Sequence, residues 1–127
     1  MITLRGLVNA PIITPFLDSP DRTFLSPSKV AQSLNLQLGE LAIAAGVHRN
    51  TLTARPQSPR VQAFLRDILR VLSAAKETLG QDELPIAWLL NEPLSAFHQR
   101  TAFELIVAGR TDDILGYLNT FSAGFVG

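Results

Sequence analysis

A short polar segment in the first half of the chain carries the residue types best suited to contact a nucleic acid. Arginine suits guanine edges and phosphates, asparagine suits the edge of adenine, and histidine and threonine form single hydrogen bonds. Residues of these types follow one another closely after Gly46. The candidate DNA-binding residues are His48, Arg49, Asn50, Thr53 and Arg55.

Catalysis and metal binding have weaker support in the sequence. His48 and His98 are far apart, and neither has a second histidine or a cysteine at the spacing of metal ligands. Asp112 and Asp113 are adjacent, so on a helix they point to different sides and suit its first turn better than acid–base catalysis. The glycines form no phosphate-binding loop. We therefore expect no enzyme, no cofactor and no metal site.

The segment from Leu36 to Arg55 fits the steric demands of a helix-turn-helix. Two short helices that cross need a small residue at the crossing, which Ala42 provides. The sharp turn between them favours a residue that tolerates positive φ, which Gly46 provides. Val47 and Leu52 would anchor the second helix and leave its polar face outward. An ordinary helical hairpin in a core is the alternative, because Ala-x-x-x-Gly-Val alone is a weak motif.

Capping signals and apolar periodicity predict the helices around this segment. Serine followed by proline is typical of a helix start, and the pair occurs at 26–27 and 58–59. Apolar residues recur at helical spacing from Val61 to Leu72, and Gly80 suits the end of that helix. The helix-turn-helix itself is predicted as helices 38–45 and 48–55, with Gln37 as a weak cap for the first.

Three further helices are predicted after residue 80. Residues 86–90 would form a short buried helix with Trp88 in the core, followed by a loop from 94 to 100. Thr101 and Glu104 form a capping box, and Thr111 is predicted to cap the last helix. Strand signals are absent, so we expect an all-α protein with about seven helices. The predicted inner stripe of the last helix is Ile114, Tyr117, Leu118 and Phe121.

Length and composition limit the class of protein. The 127 residues are 46% hydrophobic and 17% charged, which is enough for one packed domain or two very small ones. The absence of cysteine excludes a disulfide framework and a zinc–thiolate site. No apolar run approaches the roughly 20 residues that span a bilayer, and the first 16 residues lack the pattern of a signal peptide. We expect a soluble protein of the cytoplasm, without a membrane partner.

Charge is distributed unevenly although the formal net charge is zero. Residues 34–72 carry five arginines against two acidic residues, whereas residues 73–127 carry three basic residues against seven acidic ones. A basic half favours contact with a polyanion and an acidic half favours a different partner.

The first 25 residues, which contain Pro11, Pro15 and Pro20, would form an arm that is either a partly ordered tail or a segment packed on a partner or dimer mate.

Most of the sequence resembles a known family. WLLNEPLSAF, then TAFELIVAGRTDDILGYL, then SAGFVG is similar to the Xre/MbcA/ParS toxin-binding domain of antitoxins. That domain commonly follows an Xre-like helix-turn-helix, and GVHRNTL resembles its recognition helix. The resemblance covers about residues 26–127. Two departures stand out: Ala96 to Arg100 occupies a place where relatives often carry glycine, and Leu38 stands where Xre-like domains often have a phosphate-contacting glutamine.

The resemblance implies that different segments of the chain have different functions. Residues 1–25 would be an N-terminal arm, 26–80 an Xre-like DNA-binding domain, and 81–127 a helical toxin-binding and dimerisation domain with a tail. It implies a homodimeric antitoxin that blocks the active site of a RES-domain toxin, an enzyme that degrades NAD, and that represses its own operon by binding operator DNA. The implied toxin-binding residues are Ser122, Ala123, Gly124, Phe125, Val126 and Gly127.

A second function class is a helix-turn-helix transcriptional regulator whose C-terminal domain serves only dimerisation. Both readings require the same DNA-binding residues. They differ in the role of the C-terminal segment, where Phe125 would be the buried anchor in a toxin cleft in the first reading only.

Overall fold

The computed structural model describes residues 16–17, 24–80 and 84–122. Within these residues it contains seven α-helices, a short 3-10 helix at Ser95–Phe97 and no β-strand, which confirms the all-α fold class. No helix in this part of the chain is both long enough and apolar enough to cross a membrane. The helices are α1 Pro27–Leu34, α2 Leu38–Ala45, α3 Arg49–Ala54, α4 Pro59–Thr78, α5 Pro85–Asn91, α6 Ala102–Val107 and α7 Thr111–Ser122.

The described residues divide into two compact units between Arg66 and Asp67, within α4. This division falls earlier in the chain than residue 80, where the sequence predicts the end of the DNA-binding domain. The compact units are divisions of packing, and the functional domain limits stay a prediction.

Local capping explains where the helices of the first unit begin. The Ser26 hydroxyl oxygen accepts a hydrogen bond from the Lys29 N–H at 3.2 Å, and the Ser58 oxygen accepts one from the Val61 N–H at 3.3 Å. Each bond satisfies a backbone donor that has no partner within its helix. Both predicted Ser-Pro helix starts are therefore confirmed. The buried apolar side chains of this unit include Val30, Ala31, Leu34, Leu41, Leu52, Val61 and Leu65.

The described part of the N-terminal arm packs on its own chain. Phe16 and Leu17 are buried, and Leu17 pairs with Leu25 in an antiparallel bridge. The Ser26 N–H donates to the Phe16 carbonyl at 2.8 Å, and the Lys29 ammonium donates to the Leu17 carbonyl at 2.7 Å. These residues thus belong to the first unit. The rest of the arm, at 1–15 and 18–23, lies outside the described residues.

A buried glutamine at the start of α4 connects distant parts of the first unit. The side-chain oxygen of Gln62 accepts from the Leu25 N–H at 2.8 Å. Its amide nitrogen donates to the Leu25 carbonyl at 2.8 Å and to the Pro56 carbonyl at 2.7 Å. One amide therefore satisfies three backbone groups, and Gln62 itself is only 5% exposed. No local pattern in the sequence predicts this role for Gln62.

The second unit is built on the later turns of α4 and on α5 to α7. Trp88 and Leu89 are buried, which confirms the prediction that the tryptophan is a core residue. The prediction that all of α5 is buried was wrong, because Ala87 is exposed and only one side of this short helix faces the core. The Thr101 and Glu104 capping box is confirmed: each side chain accepts the other residue's backbone N–H, at 3.1 and 2.8 Å.

The start of α7 differs from the prediction. Thr111 is the first helical residue and not the cap, because the Arg110 carbonyl already accepts from the N–H groups of Asp113 and Ile114. The Thr111 hydroxyl is buried and donates instead to the carboxylate of Asp67 on α4, at 3.2 Å. Its role is therefore to join two helices of this unit.

The apolar stripe of α7 is narrower than predicted. Ile114 and Leu118 are buried, but Tyr117 is half-buried and Phe121 is 45% exposed. The Tyr117 ring lies edge-on to both Phe97 and Phe121, with centroid separations of 5.6 and 5.1 Å. The aromatic residues at these helical positions thus cover the surface of the unit, outside its core.

The segment predicted as a loop between α5 and α6 is closed by a backbone bridge and contains the 3-10 helix. The Leu94 N–H donates to the Arg100 carbonyl at 3.0 Å. His98 and Gln99 have φ values of 59° and 68°. A left-handed conformation costs roughly 1–2 kcal/mol for a residue with a Cβ. This segment thus holds two residues with a Cβ in the left-handed region, where glycine would be less strained.

Replacing Gln62 by leucine should strongly destabilise the first unit. The substitution keeps the apolar part of the side chain but leaves the Leu25 and Pro56 backbone groups without partners, at a cost of at least about 2 kcal/mol. Urea unfolding followed by circular dichroism measures this loss. The exposed Gln32 on α1 provides a matched control, and Gln32→Leu should change stability by about 0.5 kcal/mol or less. Equal effects of the two substitutions would contradict the role assigned to Gln62.

Candidate nucleic-acid interface

Helices α2 and α3 are joined by a turn of three residues, 46–48. Gly46 follows the last residue of α2 with φ at 75°, as the sequence predicts for this turn. The Val47 N–H donates to the Ala42 carbonyl at 3.0 Å, which closes the end of α2. Ala42 and Leu52 are buried, in agreement with their predicted packing, whereas Val47 is only half-buried. The second predicted helix, 48–55, is one residue shorter at each end.

The candidate DNA-binding residues form an exposed polar surface on α3. All of them lie outside the core, and Leu52 is the only buried residue of this helix. Within the part of the chain that the structure describes, the side chains of Arg49, Asn50 and Arg55 make no hydrogen bond or ion pair. Their donors are therefore available to a ligand. The exposed residues are His48, Arg49, Asn50, Thr53 and Arg55.

Two members of this polar surface already have structural partners. The Thr53 hydroxyl donates to the Asn50 carbonyl one turn earlier, at 3.1 Å, so it faces a ligand as an acceptor only. His48 is the N-cap of α3, and its Nδ1 accepts from the Asn50 N–H at 3.2 Å. A neutral imidazole that accepts at Nδ1 carries its hydrogen on Nε2. His48 can therefore donate one bond outward while it caps the helix.

Arg49 lies beside the first turn of α2. A Cβ at Gly39 would lie 3.9 Å from the Cδ of Arg49, so the aliphatic part of the arginine passes beside the glycine. The guanidinium group of Arg49 is thus carried at the junction of the two helices and not on an isolated part of α3.

The start of α2 is stabilised by a residue that the sequence analysis did not use. The Glu40 carboxylate accepts from the Gln37 N–H at 2.8 Å, which supports the weak cap at this position. An acidic group in the first turn is also favoured by the helix dipole. The signal was present in the spacing of Gln37 and Glu40, which is that of a capping box.

Arg60, in the first turn of α4, contacts the turn between α2 and α3. Its Nε donates to the Ala45 carbonyl at 3.1 Å. A Cβ added at Gly46 would lie 2.6 Å from its Nη2, closer than real contacts allow. The partners of this bond are separated by 15 residues, and no local pattern in the sequence indicates it.

The other predicted site lies mostly outside the described residues. Ser122 is the last residue of α7, and the remaining toxin-binding candidates Ala123, Gly124, Phe125, Val126 and Gly127 are not among the residues described.

In the described residues, no three histidine, aspartate or glutamate side chains are grouped so that they could hold a metal ion. Comparison of the chain with protein-family models, with curated proteins and with solved structures finds no match.

The capping role of His48 predicts a specific pattern of substitutions. His48→Ala removes the acceptor for the Asn50 N–H and should lower the free energy of unfolding by about 1 kcal/mol. His48→Asn supplies a side-chain oxygen that caps equally well, so it should keep the stability of the parent protein. Urea unfolding monitored by circular dichroism compares the two variants. If asparagine is as destabilising as alanine, the imidazole acts in some other way.

Proposed function

We propose that the protein is an antitoxin that neutralises a RES-domain toxin and represses its own operon by binding operator DNA through α2 and α3. The proposed DNA binding is supported by the arrangement of α3. Its residues of the types that can recognise bases and phosphates are all exposed, and Leu52 is buried. The toxin-binding half rests on the resemblance of residues 81–127 to the family's toxin-binding domain.

The chemistry of α3 suits the major groove of DNA. Arg49 and Asn50 stand at the beginning of the helix, which is the part of a recognition helix that reaches base edges. Asparagine offers a bidentate match to adenine, and arginine offers one to guanine or a charge for a phosphate. The caps and packing that fix α3 support the proposal, because base recognition needs side chains on a rigid element.

The second unit offers a suitable scaffold for a toxin-blocking tail. The helix α7 ends at Ser122, so the small residues that follow begin where a helix anchored by Ile114 and Leu118 stops. Small residues can enter a narrow cleft that bulky ones cannot, and Phe125 would supply the apolar anchor. The acidic character of this half of the sequence suits a partner other than DNA.

Arg49→Ala should weaken binding to the operator. The variant loses a guanidinium that contacts a base or a phosphate, and a loss of about tenfold is expected for one such contact. A gel-shift titration at low salt measures it, with a duplex that spans the region upstream of the protein's own coding sequence. Lys76→Ala removes the same charge from an exposed position in the second unit and serves as the control. Unchanged affinity of Arg49→Ala would remove the basis for a DNA-binding α3.

Deleting residues 123–127 should abolish neutralisation and leave the helices intact. The deletion begins after the last residue of α7, so circular dichroism should show the helical content and unfolding of the parent protein. The functional measurement is growth of cells that co-express a RES-domain toxin with the full-length or the shortened protein. Phe125→Ala tests the anchor alone. Full protection by the shortened protein would overturn the blocking role of the tail, whereas no protection by the full-length protein would favour the regulator whose C-terminal domain only dimerises.

A further inference from the structure

We infer that Arg60 is a positioning residue for DNA recognition: it fixes the turn between α2 and α3 and thereby the direction in which α3 presents Arg49 and Asn50. The inference rests on the proposed DNA binding and adds a residue to it. Arg60 acts through the backbone of the turn and does not need to contact DNA itself.

The first support is the hydrogen bond to Ala45. The carbonyl of Ala45 is at the C-terminal end of α2, where the last carbonyls of a helix have no partner within the helix. The Nε of Arg60 donates to it at 3.1 Å. Because the donor is cationic, this bond is stronger than one between neutral groups. It attaches the end of α2 to the start of α4.

The second support is the dipoles of the two helices. Arg60 is the second residue of α4, and a cation in the first turn of a helix is disfavoured by that helix's dipole. The same cation is favoured at the C-terminus of α2, where the dipole is negative. The contact with α2 therefore offsets an unfavourable position on α4, which gives a physical reason for the guanidinium to lie over the turn.

The third support is the fit between Arg60 and Gly46. The Nη2, Cζ and Nε atoms of Arg60 would lie 2.6, 3.5 and 3.6 Å from a Cβ at position 46. The guanidinium thus occupies the space where a side chain would be. Gly46 is favoured by its φ of 75°, and a side chain there would also have to shift the end of the flexible Arg60 side chain. Gly46 in the turn and Arg60 on α4 therefore act on the same turn.

A pair of substitutions separates positioning from direct contact with a phosphate. Arg60→Gln places an amide N–H at the same number of bonds from the backbone as the Nε of arginine, but it has no charge. Arg60→Met has a similar length and no donor. If Arg60 acts through Ala45, the methionine variant should bind the upstream duplex about tenfold more weakly than the wild type, and the glutamine variant, which keeps the donor but not the charge, should bind more tightly than the methionine variant.

The salt dependence of binding gives a second, independent readout. The slope of log affinity against log salt falls by about 0.9 for each phosphate contact that is lost. Positioning predicts the wild-type slope for both variants. An equal loss of affinity in both variants with a smaller slope, or wild-type affinity for Arg60→Met, overturns the inference. If the methionine variant does not fold, the slope of Arg60→Gln alone decides, because a direct phosphate contact would lower it.

The same titration includes the wild type, Arg49→Ala and a scrambled duplex of equal length. If the wild type does not prefer the upstream duplex to the scrambled one, the proposed DNA binding fails and the role of Arg60 fails with it. If the wild type binds specifically and Arg60→Gln behaves like Arg60→Met, only the role of Arg60 is overturned. Urea unfolding of each variant checks that the compared proteins are folded.

Discussion

The rest of the first unit depends on the three hydrogen bonds of the Gln62 side-chain amide. It holds Leu25, just before α1, and Pro56, just after α3, so the whole segment that contains α1, α2 and α3 begins and ends at one side chain. Buried backbone groups without partners would cost more than most single contacts contribute. The exposed face of α3 is thus oriented by a residue that is itself removed from solvent.

The shortness of α3 makes such constraints necessary. A helix of six residues is too short to be stable by itself in water, because the first turn is costly to form. Its conformation has to come from Leu52 in the core, from the cap at His48 and from the turn that Arg60 contacts. His48, a candidate DNA-binding residue, therefore also stabilises α3. A substitution of His48 can alter both the stability of the helix and the binding of a ligand.

Whether a hydrogen bond could be predicted from the sequence depended on how far apart its two partners lie along the chain. Helix starts such as Ser58 and Thr101 depend on residues three positions away, so their patterns were visible and are confirmed. Two other hydrogen bonds join residues that are 37 and 44 positions apart, Gln62 with Leu25 and Thr111 with Asp67. No local pattern in the sequence predicts them. The exposure of the candidate residues on α3 agrees with the amphipathic pattern. Their DNA partner is a property of another molecule and stays a prediction.

The position of Trp88 gives the molecule an optical signal that belongs to one unit only. The chain has one tryptophan and one tyrosine, Trp88 and Tyr117, and both follow the division after Arg66. Because Trp88 is buried, its fluorescence will change when the second unit unfolds, while far-ultraviolet circular dichroism follows the helices of both units. Coincident transitions in the two signals mean that the units unfold as one cooperative system. Separate transitions mean that each unit has its own stability, measurable in the intact chain without a label.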